Sequence, residues 1–194
     1  MNLIPIFVDS ETSEGLYAIQ YLDGDLDEFE RLFDLWNDIE FITQYFATNQ
    51  KHIVSEYFAN VTIDELITKI LNEVEELENL LESYSELGFK KAGSNLQMLF
   101  KPLHNKQYTI PPHQETKAKI DDKRNFPKPL LRLYGIRLGD NTFVITGGAI
   151  KLTKTMEEHP DTITELKKIE TVKSFLRKNN IIIDNDLIYY YDQL

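Results

Sequence analysis

Residues 61–86 constrain the fold more than any other part of the chain. Thr62 and Glu65 stand in capping-box spacing, with Val61 and Leu66 at the positions of a hydrophobic staple. Ile63, Ile67, Ile70, Val74, Leu77, Leu81 and Tyr84 then recur at alternating four- and three-residue steps, a seam of about three heptads. Asp64, Glu65, Glu73, Glu75, Glu76, Glu78, Glu82 and Glu86 are assigned to the outer face. A long helix of this kind buries one stripe on a neighbour. The simplest neighbour is an earlier helix in an antiparallel hairpin, which is favoured over a homodimeric coiled coil because the seam is short.

That earlier helix is signalled by Asp25 and Glu28 in capping spacing, followed by Leu26, Phe29, Leu32, Phe33, Trp36, Ile39 and Ile42 on one stripe. Before it, the apolar runs Leu3 to Val8 and Leu16 to Leu22 flank a polar segment ending near Gly15, which reads as a β-hairpin. The N-terminal run stops at Asp9 and has no basic flank, so it reads as a strand and not a signal peptide.

After Gly88 and Gly93 the pattern changes. Leu96 to Leu103 is expected to be a strand ending at Pro102, and residues 104–129, with four prolines and little apolar content, to be a long loop. Leu130 to Leu138 and Thr142 to Thr146 flank Gly139-Asp140-Asn141, a strand–turn–strand signature. Gly147-Gly148 suggests a bulge or bend, and Ala149 to Thr153 a continuing strand. Pro160 with Thr162/Glu165 opens a last helix that Asn179-Asn180 stops, and the tyrosine-rich tail from Ile181 to Tyr191 is expected to pack back on the domain. The result is an α+β chain of one domain over 1–194. It has N-terminal strands, an acidic helical hairpin at about 25–87, and a C-terminal antiparallel sheet with a terminal helix at about 95–180.

Charge follows the same division. Residues 1–88 hold three cations (Arg31, Lys51, Lys69) against twenty carboxylates, while residues 89–194 hold eighteen Lys and Arg against twelve. The net −11 of the whole chain therefore combines a strongly acidic half with a basic one. Such asymmetry means either two surfaces with different partners or acidic helices with well-solvated faces. The absence of cysteine excludes disulfides, thiolate zinc sites and a cysteine nucleophile. His52, His104, His113 and His159 are scattered without ligand spacing and read as surface residues. No metal, cofactor or membrane span is expected, and a cytoplasmic location is the default.

What remains for chemistry is the basic set on the C-terminal sheet: Arg132, Tyr134 and Arg137 on one strand, Lys101 before it, and Lys151 and Lys154 after the hairpin. Arg132 and Tyr134 share a face, and Arg137 joins them only if a bulge, at Gly135 for example, changes the phase. Cations beside a phenol suit a phosphodiester, with Arg and Lys stabilising the phosphorane charge and Tyr or a low-pKa Lys moving a proton. The alternative is that these cations pair with the acidic helices.

The run Leu131-Arg132-Leu133-Tyr134-Gly135-Ile136-Arg137 with its hairpin, then Lys151-Leu152-Thr153-Lys154-Thr155 and Pro160 opening a helix, resembles the RelE/HigB-like toxins. The likeness is closest to their phage-derived branch. Phe100-Lys101-Pro102-Leu103 looks like the preceding strand, and Leu16-Tyr17-Ala18 followed by two helices like the rest of a βααβββα order. The resemblance implies a metal-independent endoribonuclease that cuts mRNA on the ribosome and is restrained by an antitoxin. Residue by residue it carries catalysis over to Arg137, Lys151 and Lys154, and the residue types themselves add Tyr134 as a catalytic candidate and Arg132 and Lys101 for RNA binding. Gly148-Ala149-Ile150 stands where the family has His-Gly-Phe, the helical hairpin is longer and more acidic, and 104–129 is an insertion. The second hypothesis is a non-catalytic protein of the same fold, whose acidic hairpin binds a basic helix-turn-helix regulator.

Overall fold

The computed structural model describes residues 1–53, 58, 61–90, 95–104, 110–121, 128–153 and 155–193. Strands β1 (Asn2–Val8) and β2 (Gly15–Gln20) form the expected N-terminal hairpin. Helices α1 (Glu28–Asn37), α2 (Ile39–Thr48), the short α3 (Gln50–Ile53) and the long α4 (Ile63–Lys90) follow. A 3-10 turn at Leu96–Met98 leads into β3 (Lys101–Pro102), β4 (Gln114–Ala118), β5 (Leu131–Arg137) and β6 (Phe143–Ile150). Helices α5 (Pro160–Lys178) and α6 (Asp186–Tyr191) close the chain. None of the described helices is long and apolar enough to cross a membrane.

All six strands join one mixed sheet, ordered β1-β2-β6-β5-β4-β3. The expectation of a separate, purely antiparallel C-terminal sheet is therefore corrected, because β2 pairs in parallel with β6. Strand alternation divides the core in two. Leu131, Leu133, Phe143 and Ile145 pack with α1, α2 and α4 on one face. Tyr134, Ile136, Val144 and Ala149 pack with α5 and the start of α6 on the other. Pro5 on β1 and Pro102 on β3 lie on the two edge strands, where a missing N–H costs no ladder bond.

The caps explain how the helices divide. Asp27, not Asp25, caps α1, accepting from the Phe29 and Glu30 amides at 2.8 and 3.1 Å. The single stripe expected to run through Ile42 is broken at Asp38, which accepts from Glu40 and Phe41 and starts a second helix. At α4 the expected capping box is present, with the Thr62 amide on Glu65 at 2.8 Å and the Glu65 amide on the Thr62 hydroxyl at 3.2 Å. Helix α4 packs on α1, α2 and β2 rather than forming a simple two-helix hairpin.

Glu73 does not belong to the outer face. It is 1% exposed, and its carboxylate accepts from the Leu130 amide at 2.8 Å and the Leu131 amide at 2.8 Å. These amides precede the point where β4 covers β5, so Glu73 supplies the acceptors that a neighbouring strand otherwise would. Two further expectations change here. Leu96 to Leu103 contributes a 3-10 turn and only two strand residues, and the loop expected over 104–129 contains β4. Continuity of β6 through Gly147-Gly148 to Ile150 replaces the separate strand expected from Ala149.

At α5 the cap is His159, with Pro160 at the first helical position. The expected Thr162/Glu165 capping pair is absent: the Thr162 hydroxyl bonds the His159 carbonyl at 3.0 Å, and Glu165 is buried toward the sheet. The tail packs back as expected, with Leu187 buried and the rings of Tyr17 and Tyr191 stacked at 6.1 Å.

Candidate cationic cleft

A cleft of about 390 Å³ opens on the α5 side of the sheet. It is built by cross-strand register. Lys117 on β4 stands opposite Tyr134 on β5, and the same register continued by one residue pair places Lys119 beside Arg132. Arg132 in turn stands opposite Ala149 on β6, and Lys151 follows the end of that strand. Lys117, Lys119, Arg132, Tyr134 and Lys151 all line the cleft, with Leu103, Met156 and Leu166 as its apolar wall. Glu157 is the carboxylate on its lining.

Arg132 is held by its own backbone, donating from Nη1 to the carbonyls of Pro129 at 2.7 Å and Leu131 at 2.6 Å. Lys117 Nζ donates to the Leu103 carbonyl at 3.2 Å. The amines of Lys117, Lys119 and Lys151 all have pKa values below the ordinary lysine range. Burial is the largest cause for each, followed by the positive charge of Arg132. Lys117, Arg132 and Lys151 are half-buried and Lys119 is exposed; like charges this close repel, and an anion entering the cleft would offset that repulsion.

The sequence-derived set only partly converges. Arg132, Tyr134 and Lys151 meet in the cleft. Arg137 does not: β5 has Leu131 and Leu133 in one core cluster and Tyr134 and Ile136 in the other, so alternation puts Arg137 with Leu131 and Leu133. A bulge does occur opposite Tyr134/Gly135, but its extra residue is Thr146 on β6, so the phase of β5 is kept. Arg137 is ion-paired with Asp140 in the turn. Lys101 lies outside the cleft, exposed, with Nζ on the Gln97 carbonyl at 3.2 Å. Lys154 lies outside the described residues.

Tyr134 is poorly suited to proton transfer. Its hydroxyl is buried without a hydrogen-bond partner among the described residues, and burial raises its pKa. The lysines are better suited, because a lowered pKa gives each a larger neutral fraction near pH 7. Lys117 and Lys119 were not among the expected residues, since they lie in the segment read as a loop. A signal for them existed in the alternation Glu115, Lys117, Lys119.

The histidines also depart from expectation. His113 and His159 are buried at 3% and 4% exposure. His159 accepts the Asp161 amide at Nδ1 (3.3 Å), so its Nε2 carries the proton toward Asn49 Oδ1 at 3.0 Å. Burial keeps its pKa below the usual histidine value. Among the described residues no His, Asp and Glu group has the arrangement of a metal site.

Fold and site together define an α+β protein with a mixed six-stranded sheet and a cationic cleft on one face. Comparison with protein-family models, curated proteins and solved structures gave no match.

Proposed function

We propose that this chain is an RNA-binding endoribonuclease of the RelE/HigB-like toxin kind, which grips the sugar–phosphate backbone of mRNA with Lys117, Lys119, Arg132 and Lys151. The observation that carries the reading is the convergence of those four cations, on β4 and β5 and just past the ends of β4 and β6, on one cleft. The element order supports the family part. From β2 the chain runs through four helices, four strands and α5, which keeps the strand–helices–strands–helix order of the βααβββα pattern with two helices and one strand more.

The chemistry needs no more than the cleft supplies. In RNA the 2′-hydroxyl attacks the adjacent phosphorus, the bond to the 5′-oxygen breaks, and a cyclic phosphate and a 5′-hydroxyl result. A neutral lysine, Lys117 or Lys151, takes the 2′ proton; a protonated one returns a proton to the leaving oxygen. Arg132 and the remaining lysines stabilise the extra negative charge of the phosphorane. Arg137 has no role in this scheme.

Regulated expression in a bacterium, with growth and translation followed, tests the reading. Growth arrest that is relieved by Lys151→Gln or Lys117→Gln, but persists in Arg137→Ala, supports it. RNA binding without arrest or cleavage removes the catalytic half and keeps the binding half.

A second reading rests on the outer edge of α4. Glu75, Glu76, Glu78, Glu82 and Glu86 are exposed; of the two α4 lysines, Lys69 is turned to Glu73 at 3.3 Å and Lys90 stands in the last turn, beyond Glu86. An acidic row with a cation only at its end suits a basic protein such as a helix-turn-helix regulator. Binding of such a regulator that survives loss of the cationic cleft, together with no RNA binding at all, favours this reading.

A further inference from the structure

Helix α5 starts on a cap that can take a proton. His159 Nδ1 accepts the Asp161 amide at 3.3 Å. Its Nε2–H reaches Asn49 Oδ1 at 3.0 Å, and Asn49 is oriented by its own side-chain amide, which donates to the Tyr45 carbonyl at 2.9 Å. Only the neutral ring with its proton on Nε2 makes both bonds together. The usual capping side chains keep their acceptor across the neutral range, and histidine does not. A proton on Nδ1 would set one donor against another at the Asp161 amide. It would also place positive charge at the positive end of a 19-residue helix.

Among the described residues, the charged and titratable groups around the ring are Lys51 and His52 on α3, Tyr45 on α2 and Asp161 on α5. The His52 ring meets it edge-on, with centroids 5.0 Å apart. Lys51 and His52 oppose a further positive charge, and Asp161 favours one, with Oδ2 standing 3.5 Å from Nδ1. Asp161 Oδ2 meanwhile accepts from the Tyr45 hydroxyl at 3.0 Å, and that hydroxyl has a second acceptor in the Ile150 carbonyl at 3.1 Å. The protonated state therefore has a defined arrangement of its own. The cap bond breaks, Asp161 turns to the imidazolium, and the Tyr45 hydroxyl donates to Ile150 alone.

What this cap secures is a wall of the cationic cleft. Thr155, Met156 and Glu157 line the cleft, just before His159 in the chain. The Thr162 hydroxyl, in the first turn of α5, bonds the carbonyls of both Met156 and His159 and so ties that segment to the helix start.

We propose that His159 is an acid-operated latch, whose protonation uncaps α5 and loosens the wall of the cleft that carries Thr155, Met156 and Glu157. The latch is independent of which anion the cleft takes. Burial is the largest cause of the lowered His159 pKa; Asp161 opposes it, and His52 and Lys51 add to it. A base with a depressed folded-state pKa stabilises fully above its unfolded value of about 6.5, and that stability is lost as pH falls through the folded value. Acid therefore opens the latch.

The test is NMR of the full chain, natural and His159→Asn, from neutral pH to about pH 5. Asparagine caps a helix and does not titrate. The variant keeps His52, Asp161 and Glu165, so their titration is common to both proteins. Near neutrality the His159 ring should show Nδ1 bare and Nε2 protonated. On acidification Nδ1 gains a proton, and the exchange protection of the Asp161 and Ile163 amides falls by about fivefold or more. The Met156 methyl resonance shifts with the same midpoint, and His159→Asn shows neither change. A proton on Nδ1 near neutral pH overturns the proposal, as does a ring that stays neutral throughout the series. So does an equal loss of protection in His159→Asn, or a Met156 methyl that does not follow the ring.

Discussion

The Glu73 carboxylate accepts the Leu131 amide at 2.8 Å, joining the middle of α4 to the start of β5. Burial raises its pKa, while the two strand amides and Lys69 pull it back. Removing this acceptor leaves two buried amides without partners, so Glu73→Ala is expected to cost about 3 kcal/mol. Glu73→Gln keeps one acceptor and should cost less. Chemical denaturation of both variants checks the order, and an innocuous Glu73→Ala contradicts it.

Leu77 is fully buried on the same helix. Leu77→Ala should destabilise the fold by roughly 2–5 kcal/mol, as buried leucine truncations do. Glu76→Gln on the exposed edge should be nearly neutral. Equal melting temperatures for the two variants would show that α4 does not carry the core.

The contrast between Glu73 and Leu77 shows what the sequence made legible. Thr62, Glu65 and the leucine seam announce α4, because capping and helical periodicity are local. Glu73 sits beside Val74 on the same seam, yet a carboxylate there reads as solvated until the amides of residues 130 and 131 are known to meet it. Strand β4 was hidden for a related reason: Gln114, Thr116 and Ala118 turn inward and Glu115 and Lys117 outward, so the alternation lacks large apolar residues.

Glu165 gives a dependence on pH. Its carboxyl is pushed up to about 7 by burial, against the opposing pull of Lys168. A group with a raised folded-state pKa stabilises fully below its unfolded value, and that stability is lost as pH rises through the folded value. Stability should therefore fall between about pH 4.5 and 7 by an amount on the order of 3 kcal/mol from this group. Glu165→Gln should flatten that part of the profile. An identical slope in the variant would assign the dependence elsewhere.

The acidic edge of α4 should act on RNA at long range. Changing exposed Glu75, Glu76, Glu82 and Glu86 to Gln removes repulsion that salt screens within about 8–10 Å. RNA affinity should rise at low salt and change little at high salt. The same variant should bind a basic regulator less well. If neither affinity moves, the acidic edge is only a solvated surface.

The salt dependence of RNA affinity tests the proposed role of the cationic cleft most directly. Binding of a labelled single-stranded RNA would be measured by anisotropy across a salt series, for the natural chain, for Lys117→Gln/Lys119→Gln/Lys151→Gln together, and for Lys101→Gln. Each phosphate contact on a single strand contributes about 0.7 to the slope of log affinity against log salt, so the triple variant should lose about 2 of that slope along with affinity. Lys101→Gln, outside the cleft, should retain both. A triple variant with the slope and affinity of the natural chain would contradict the assignment of these cations to RNA.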